Sequence, residues 1–325
     1  MIKNIGSFKD QTDGTIKSVY KINNSKIIEM SMLYNKLDKD VICVPTHHYC
    51  NLGCKMCHLT NNKTNKPMQK IKITDFMYCI IDTIKKYKTN KKKLLISFMG
   101  VGEPLLNLEL IENVFKEENK IKELGYDYIS YAISTMMPNN NLLKLKNMVN
   151  ELNIPIKVHF SLHTPIDKNR KELIPSTKVN IEEALNMLLI YSYNVKQNKI
   201  IMNNYKLFHS NNIPIEIHYT LIKNKNDSNK ELKEIIKLLN IYQIPIKFIK
   251  FNPINNLDIS NNEEKWVSEI HKNIPNLRIK TYSPPGREVG SSCGEFTKHY
   301  YLEELETKEE LQEFNIWYKK HLIKN

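Results

Sequence analysis

The stretch VICVPTHHYCNLGCKMCH, residues 41–58, decides how the rest of the chain is read. It starts as an apolar run of strand length and ends with Cys50, Cys54 and Cys57 crowded into eight residues. A structural zinc site closes a tetrahedron with four ligands, usually from two separated pairs, so zinc would have to recruit His47, His48, His58 or a distant cysteine. A thioredoxin-like pair from Cys54 and Cys57 should open a helix and would leave Cys50 unexplained. Three cysteines on one short loop suit a [4Fe-4S] cluster whose fourth iron has no protein ligand. That iron is open to a substrate.

Outward from this loop the chain has a repeating rhythm. Apolar strand candidates end in polar or glycine-containing loops: VICVPT (41–46), LLISFMG (94–100), YISYAIST (128–135), IPIKVHFSLH (154–163), IPIEIHYTLI (213–222) and IPIKFIKFN (244–252). The last three open on Ile-Pro-Ile, with proline at the strand start, where a missing N–H is tolerated. Between them, TDFMYCIIDTIKKY (74–87) and NKELKEIIKLLN (229–240) carry apolar residues at helical spacing. Six strand-helix units in series predict an α/β fold with a parallel sheet and right-handed crossovers, a partial (β/α)6 barrel of the TIM type. Ahead of it, DGTIKSVYKINNSKIIEMSML (13–33) alternates around Asn-Asn-Ser and predicts a β-hairpin. The expected organisation is an N-terminal hairpin extension over 1–36, a core barrel over 37–300 and a C-terminal helix over 301–325.

Barrel enzymes build their sites at the C-terminal ends of strands. The cysteine loop, Gly100-Val101-Gly102-Glu103-Pro104, Ser134-Thr135, Ser161-Leu162-His163 and Asn252-Pro253 all fall at such ends. Any one of them is accounted for by ordinary strand-end hydrogen bonding, but five on one rim point to a site.

The 325 residues suffice for one large core, and no apolar run or N-terminal h-region suggests a membrane span or leader, so a soluble, cytoplasmic monomer is expected. Net charge is +13, which suits a polyanion, yet arginine occurs only at Arg170, Arg278 and Arg287. A lysine excess beside abundant Ile and Asn is also what AT-rich codon usage produces, so charge alone does not identify an RNA partner. The six cysteines of a cytosolic chain read as metal ligands or reactive thiols rather than a disulfide framework.

A CxxxCxxC loop after the first barrel strand resembles the radical S-adenosylmethionine (SAM) superfamily, in which the open iron chelates SAM and the reduced cluster cleaves it to a 5′-deoxyadenosyl radical. FMGVGEPLLN (98–107), AIST (132–135), FSLHTPIDKNRKELIP (160–175), YTLIKNKNDS (219–228), FNP (251–253) and GREVGSSCGEF (286–296) follow in the order of the RlmN/Cfr family of RNA adenosine methyltransferases, from about Asp13 to His299. The resemblance implies that Cys50, Cys54 and Cys57 bind the cluster. It implies that Gly102, Glu103, Ser134, Ser161, Leu162, His163 and Asn252 line SAM. It also implies that Cys293 carries a methyl group from a first SAM, that a second SAM yields the radical, and that Cys43 resolves the RNA adduct as a disulfide with Cys293. Glu29 matches the proton acceptor, one residue out of the expected spacing. The implied reaction methylates adenosine C2, with C8 as the variant, in rRNA or tRNA, with a flavodoxin or ferredoxin as electron donor. Taken alone, Cys43 and Cys79 would be buried structural thiols, and Cys79 keeps that reading.

Departures from the family pattern lie around the substrate. Few residues precede the hairpin where relatives carry a helical domain. The stretch from about Asn194 to Ile213 reads as an insertion able to supply compensating RNA contacts. Pro285-Gly286 replaces a basic pair, and His218 stands where a glutamate is usual. The competing expectations are a radical SAM enzyme of another subclass, acting on a peptide or metabolite, and a non-catalytic zinc-bound RNA-binding module.

Overall fold

The structure, a computed structural model, describes residues 1–23, 25–61, 67–254, 256–291 and 308–323. Its strands are β1 (Ile2–Lys9), β2 (Ile16–Ile22), β3 (Lys26–Leu33), β4 (Asp40–Cys43), β5 (His47–Tyr49), β6 (Gln69–Lys70), β7 (Lys93–Phe98), β8 (Tyr128–Thr135), β9 (Ile156–Ser161), β10 (Ile215–Tyr219), β11 (Ile246–Ile249) and β12 (Ile279–Tyr282). Ten of them form one sheet in the order β1-β2-β3-β4-β7-β8-β9-β10-β11-β12, and β5 pairs with β6 apart from it. From β4 to β12 every pairing is parallel, as the strand-helix rhythm requires.

The sheet is larger than six strands plus a hairpin. β1 pairs antiparallel with β2, so the hairpin is part of a three-stranded meander. β12 adds a seventh parallel strand beyond the six expected. Both were hard to see for the same reason: NIGSF and LRIKTY lack the apolar runs that mark the central strands, because edge strands are half-buried. β1 also bulges between Asn4 and Gly6.

The helices are α1 (His58–Asn61), α2 (Ile73–Tyr87), α3 (Leu108–Lys116), α4 (Glu118–Lys122), α5 (Leu142–Leu152), α6 (Asp167–Leu173), α7 (Ile181–Gln197), α8 (Lys199–Lys206), α9 (Asn229–Tyr242), α10 (Glu263–Asn273) and α11 (Lys308–His321). α9 illustrates the local logic: the Ser228 side chain caps it by accepting from Glu231 N–H, and Leu232, Ile235 and Leu239 turn its apolar face to the sheet. The expected C-terminal helix is α11. Phe8 stacks on its Trp317 with ring centroids 4.9 Å apart. No helix among the described residues is long and apolar enough to cross a membrane.

The Ile-Pro-Ile openings do more than tolerate proline. Pro155, Pro214 and Pro245 cannot donate, but their carbonyls accept from Tyr131, Val158 and Ile217 of the preceding strands at 2.8–3.0 Å. That common start sets a common alternation. Lys157-His159-Ser161 on β9 and Lys247-Ile249 on β11 line the interior cavities, together with His218 and Thr220 on and just after β10. Glu216, also on β10, contacts Lys157, His159 and Lys247.

The stretch from 194 to 213 finishes α7, forms α8 and then closes on the N-terminal ends of the strands. Lys39 Nζ donates to Phe208 O at 3.0 Å, Lys93 Nζ to Leu207 O at 2.8 Å, and Arg278 to Ser210 Oγ at 2.9 Å. It therefore sits at the opposite strand ends from the cysteine loop. There it forms a floor beneath the barrel, with Phe208, His209, Ser210 and Asn211 lining the cavity above it.

Candidate active site

The cysteine loop follows β5. Gly53 turns it with φ of 73°, where a side chain would be strained and would press on Pro175. The segment after α6 holds it in place: Lys55 N–H donates to Leu173 O at 2.9 Å, and Ser176 Oγ to Leu52 O at 2.6 Å. Cys57 N–H donates to Cys54 O at 3.0 Å, which turns the second and third thiols back toward the barrel mouth.

Cys50, Cys54 and Cys57 share one cavity of about 210 Å³ with Gly102, Glu103, Ser134, Ser161, His163 and Asn252. Residues from five strand ends that are far apart in sequence are thus brought together. Leu162 is the exception: its side chain is wholly buried in the main core, and its N–H donates to His218 O at 3.1 Å. Only its backbone is near the site. Glu29 is elsewhere, in β3, and Cys43 lines a second cavity. Cys293 lies outside the described residues.

The first cavity fits the group implied for it. Three thiols face it from one loop, and its walls beside them are apolar: Met56, Leu59, Met99, Met136 and Ile174. Burial pushes the Cys50 and Cys54 thiols up, Cys54 well above its usual value, so ligation by an electropositive cluster would displace their protons. Across from them, Gly102 has φ of +108°, and a Cβ there would meet Thr46 Oγ1 at 2.8 Å. The loop can take this course against Thr46 and His47 only because residue 102 is glycine.

Glu103 is buried and already engaged. Its Oε1 accepts from Leu105 N–H and its Oε2 from Met136 N–H, both at 3.0 Å. Burial raises its pKa from 4.5 to about 7, against those hydrogen bonds and the nearby Arg170. An ammonium presented to it would favour the ionised form. Ser134 and Ser161 hydroxyls lie 3.2 Å apart at the ends of β8 and β9. The His163 ring is kept neutral, pushed down to about 3 by burial, and its Nδ1 accepts from Thr220 N–H at 3.1 Å.

Arg170 was not singled out from the sequence, yet it ties the site together. It is buried; its Nη2 donates to Met136 O at 2.6 Å and to Ser161 O at 3.3 Å, and its Nη1 to Thr177 Oγ1 at 3.0 Å. Its guanidinium stacks over Phe160 at 4.9 Å. The available signal was scarcity: three arginines in a lysine-rich chain suggest places where a planar fork is needed.

The second cavity lies below, in the barrel lumen, and meets the first at Met99, His218 and Ile249. Cys43 and Ser291 both line it. The segment after β12 is stapled to the meander there: Ser291 Oγ lies 2.8 Å from Ser31 Oγ, and Lys17 Nζ donates to Gly290 O at 2.6 Å. Lys17 also pairs with Glu29 at 3.0 Å, with both side chains wholly buried. In register, Ser31 faces Cys43 across the β3–β4 pairing.

Comparison with known proteins agrees with this geometry. The family model described as "4Fe-4S single cluster domain" matches residues 41–181. A probable dual-specificity RNA methyltransferase RlmN of Clostridioides difficile strain 630 is 25% identical over 299 residues, covering 90% of this chain and 78% of its own length. The dual-specificity RNA methyltransferase RlmN of Buchnera aphidicola subsp. Schizaphis graminum is 26% identical over 294 residues, 88% of this chain and 74% of its own. A radical SAM methyltransferase from Sphaerobacter thermophilus has the same fold, with a TM-score of 0.71 at 17% identity over 90% of this chain and 80% of its own. With three thiols on the loop after β5, a glycine-lined cavity beside them and likeness along nine-tenths of its length, the chain is similar to the RlmN RNA methyltransferases, and its site is that of an enzyme of a [4Fe-4S] cluster and SAM.

Proposed function

We propose that the protein methylates an adenosine carbon, C2 in preference to C8, in rRNA or tRNA. The observation that carries this reading is the pair of adjoining cavities, one lined by the three cluster thiols and the other by Cys43 and Ser291, with Cys43 packed in one apolar cluster with Cys50 and Met99. Bound there, the cluster and SAM would supply the methyl group and the radical needed for an electron-poor ring carbon.

The residues have distinct tasks. Cys50, Cys54 and Cys57 hold the cluster; Gly102, Glu103, Ser134, Ser161, His163, Asn252 and the Leu162 backbone position SAM. Cys293 follows Ser291 by two residues and accepts the methyl group as a thiolate. Cys43 attacks Cys293 to release the methylated base, leaving a disulfide. Glu29 pairs with Lys17, whose Nζ also donates to Gly290 O, and this link to the segment leading to Cys293 supports it as the proton acceptor. It would take the proton from the target carbon.

The test is to incubate anaerobically reconstituted, reduced enzyme with methyl-labelled SAM and rRNA or tRNA, then digest to nucleosides. Labelled 2-methyladenosine is expected, and unmodified adenosine with every RNA tried would overturn the reading. Cys43→Ala should accumulate a covalent protein–RNA adduct; clean turnover by that variant would remove its resolving role. A flavodoxin or ferredoxin is the expected donor of the reducing electron.

A further inference from the structure

The lower lumen is chemically unlike the site above it. Its cavity of about 580 Å³ is large enough for a small-molecule ligand, and its described lining holds Lys36, Lys39, Lys157, Lys247, Arg278 and Lys280 with no carboxylate. Two acids touch this set. Asp38 pairs with Lys39 at 3.0 Å, and the buried Glu216 is shared by Lys157, Lys247 and Lys280 at 3.0, 2.9 and 3.3 Å. Among the described residues, two negative charges against six positive ones leave a surplus in a partly desolvated space. Lys157 is 3% exposed and its pKa is pushed down to about 8; Lys36 and Lys280 are pushed down as well, by burial and by neighbouring ammonium groups. An anion would relieve that repulsion.

His159 and His218 complete the wall. Their rings lie 4.2 Å apart, with His159 Nδ1 at 3.2 Å and His218 Nε2 at 3.7 Å from Glu216 Oε2. These two imidazoles and the carboxylate could group around a cation. Three lysine ammoniums on the same carboxylate argue against it, because a divalent ion would have to displace or face them. Burial, and the neighbouring lysines, hold both rings neutral.

We infer that the lower lumen is a phosphate site, which holds the phosphate of an adenine nucleotide whose base lies toward Cys43. This rests on the adenosine reading above and goes beyond it, because it assigns Lys157, Lys247, Lys280, Lys36 and Arg278 to the substrate's phosphate rather than to the outer surface. Glu216 is the positioning residue: it draws three lysine heads to one point and leaves their remaining N–H donors for the ligand. The phosphate can belong to a free nucleotide or to the target residue of an RNA strand.

Equilibrium dialysis on the anaerobically reconstituted full chain tests this, with adenosine, adenosine 5′-monophosphate and a short adenosine-containing oligoribonucleotide as probes. The monophosphate should bind at least tenfold tighter than adenosine, and inorganic phosphate should compete with it where equal ionic strength of chloride does not. The Lys247→Gln/Lys280→Gln variant should bring the ratio near unity with adenosine binding unchanged. Both side chains are partly exposed, at 18% and 34%, so the fold should persist, and the phosphate competition on the unaltered chain stands independently. A lysine-dependent preference seen only with the oligonucleotide would assign the phosphate to an RNA strand. Equal binding of every probe with and without phosphate overturns the site, as does a stoichiometric divalent metal beyond the cluster iron that is lost in Glu216→Gln. Phosphate preference without methylation of any RNA would keep the site and remove the adenosine-in-RNA reading; methylation without phosphate preference would do the reverse.

Discussion

The two ends of the lumen solve different electrostatic problems with the same strands. At the upper end, thiols and a carboxyl are buried among apolar walls, so burial favours their neutral, protonated forms until a cation arrives. At the lower end, ammonium groups are gathered around one carboxylate, so their charge awaits an anion. Moving four residues along β9, from Lys157 through His159 to Ser161, carries the wall from the cationic end to the neutral one.

The sharpest break in this comparison is at the thiols. Cys54→Ala removes one of three ligands from a centre with no protein substitute for it, so iron should fall from about four per chain to near zero and SAM cleavage should be lost. The protein should still bind a phosphate probe in the lower lumen. Iron analysis and the visible absorbance of the reconstituted variant check this; retention of a full cluster would show that the loop is not its seat.

Next in size is the seam between the meander and the lower lumen. Lys17→Met leaves Glu29 buried without its 3.0 Å partner and should cost about 3–5 kcal/mol of stability. Lys17→Met/Glu29→Gln should recover much of that loss by removing both charges. A denaturant titration of the single and double variants reads the coupling, and additive losses would mean that the pair is not a unit.

How much of this was legible depends on what each residue had to do. The cysteine spacing and the strand-end glycines are local signals, and they led to residues that do share a cavity. Leu162 shows the limit of alternation at a strand end: just after β9 its side chain returns to the core. The lysines of the lower lumen were visible as letters, since Lys157, Glu216 and Lys247 each follow an Ile-Pro-Ile. Their meaning was not, because charges that far apart in sequence become a cluster only when the parallel register is known. The stretch from 194 to 213 stood out in the sequence, while the end of the barrel that it closes depends on tertiary contacts at Lys39, Lys93 and Arg278.

The upper end has a pH signature of its own. Burial raises the Glu103 pKa to about 7, so the folded, metal-free protein keeps a proton that the unfolded chain has released above 4.5. That contribution is fully present below pH 4.5 and is lost as pH rises through 7, amounting to roughly 3 kcal/mol. Glu103→Gln should abolish it, so the stability of the parent relative to this variant should fall across that window. A flat difference between pH 4.5 and 7 would place the carboxyl in a more polar setting than its burial indicates.

The smallest expected effect lies at the Ser134–Ser161 pair, on the boundary between the two regimes. Their hydroxyls are 3.2 Å apart and face the SAM cavity, but each can turn to a neighbour if the other is lost. Ser161→Ala removes one donor and acceptor without opening space for a new contact. The loss should be that of a single neutral hydrogen bond, about 0.5–1.5 kcal/mol, or roughly two- to tenfold in SAM dissociation constant. Because the residue stands between Lys157–His159 below and the cysteine loop above, phosphate binding should be unaffected. SAM titration and phosphate competition on the same variant separate the two: a loss confined to SAM supports independent ends, whereas equal losses in both would mean that the lumen responds as one coupled site.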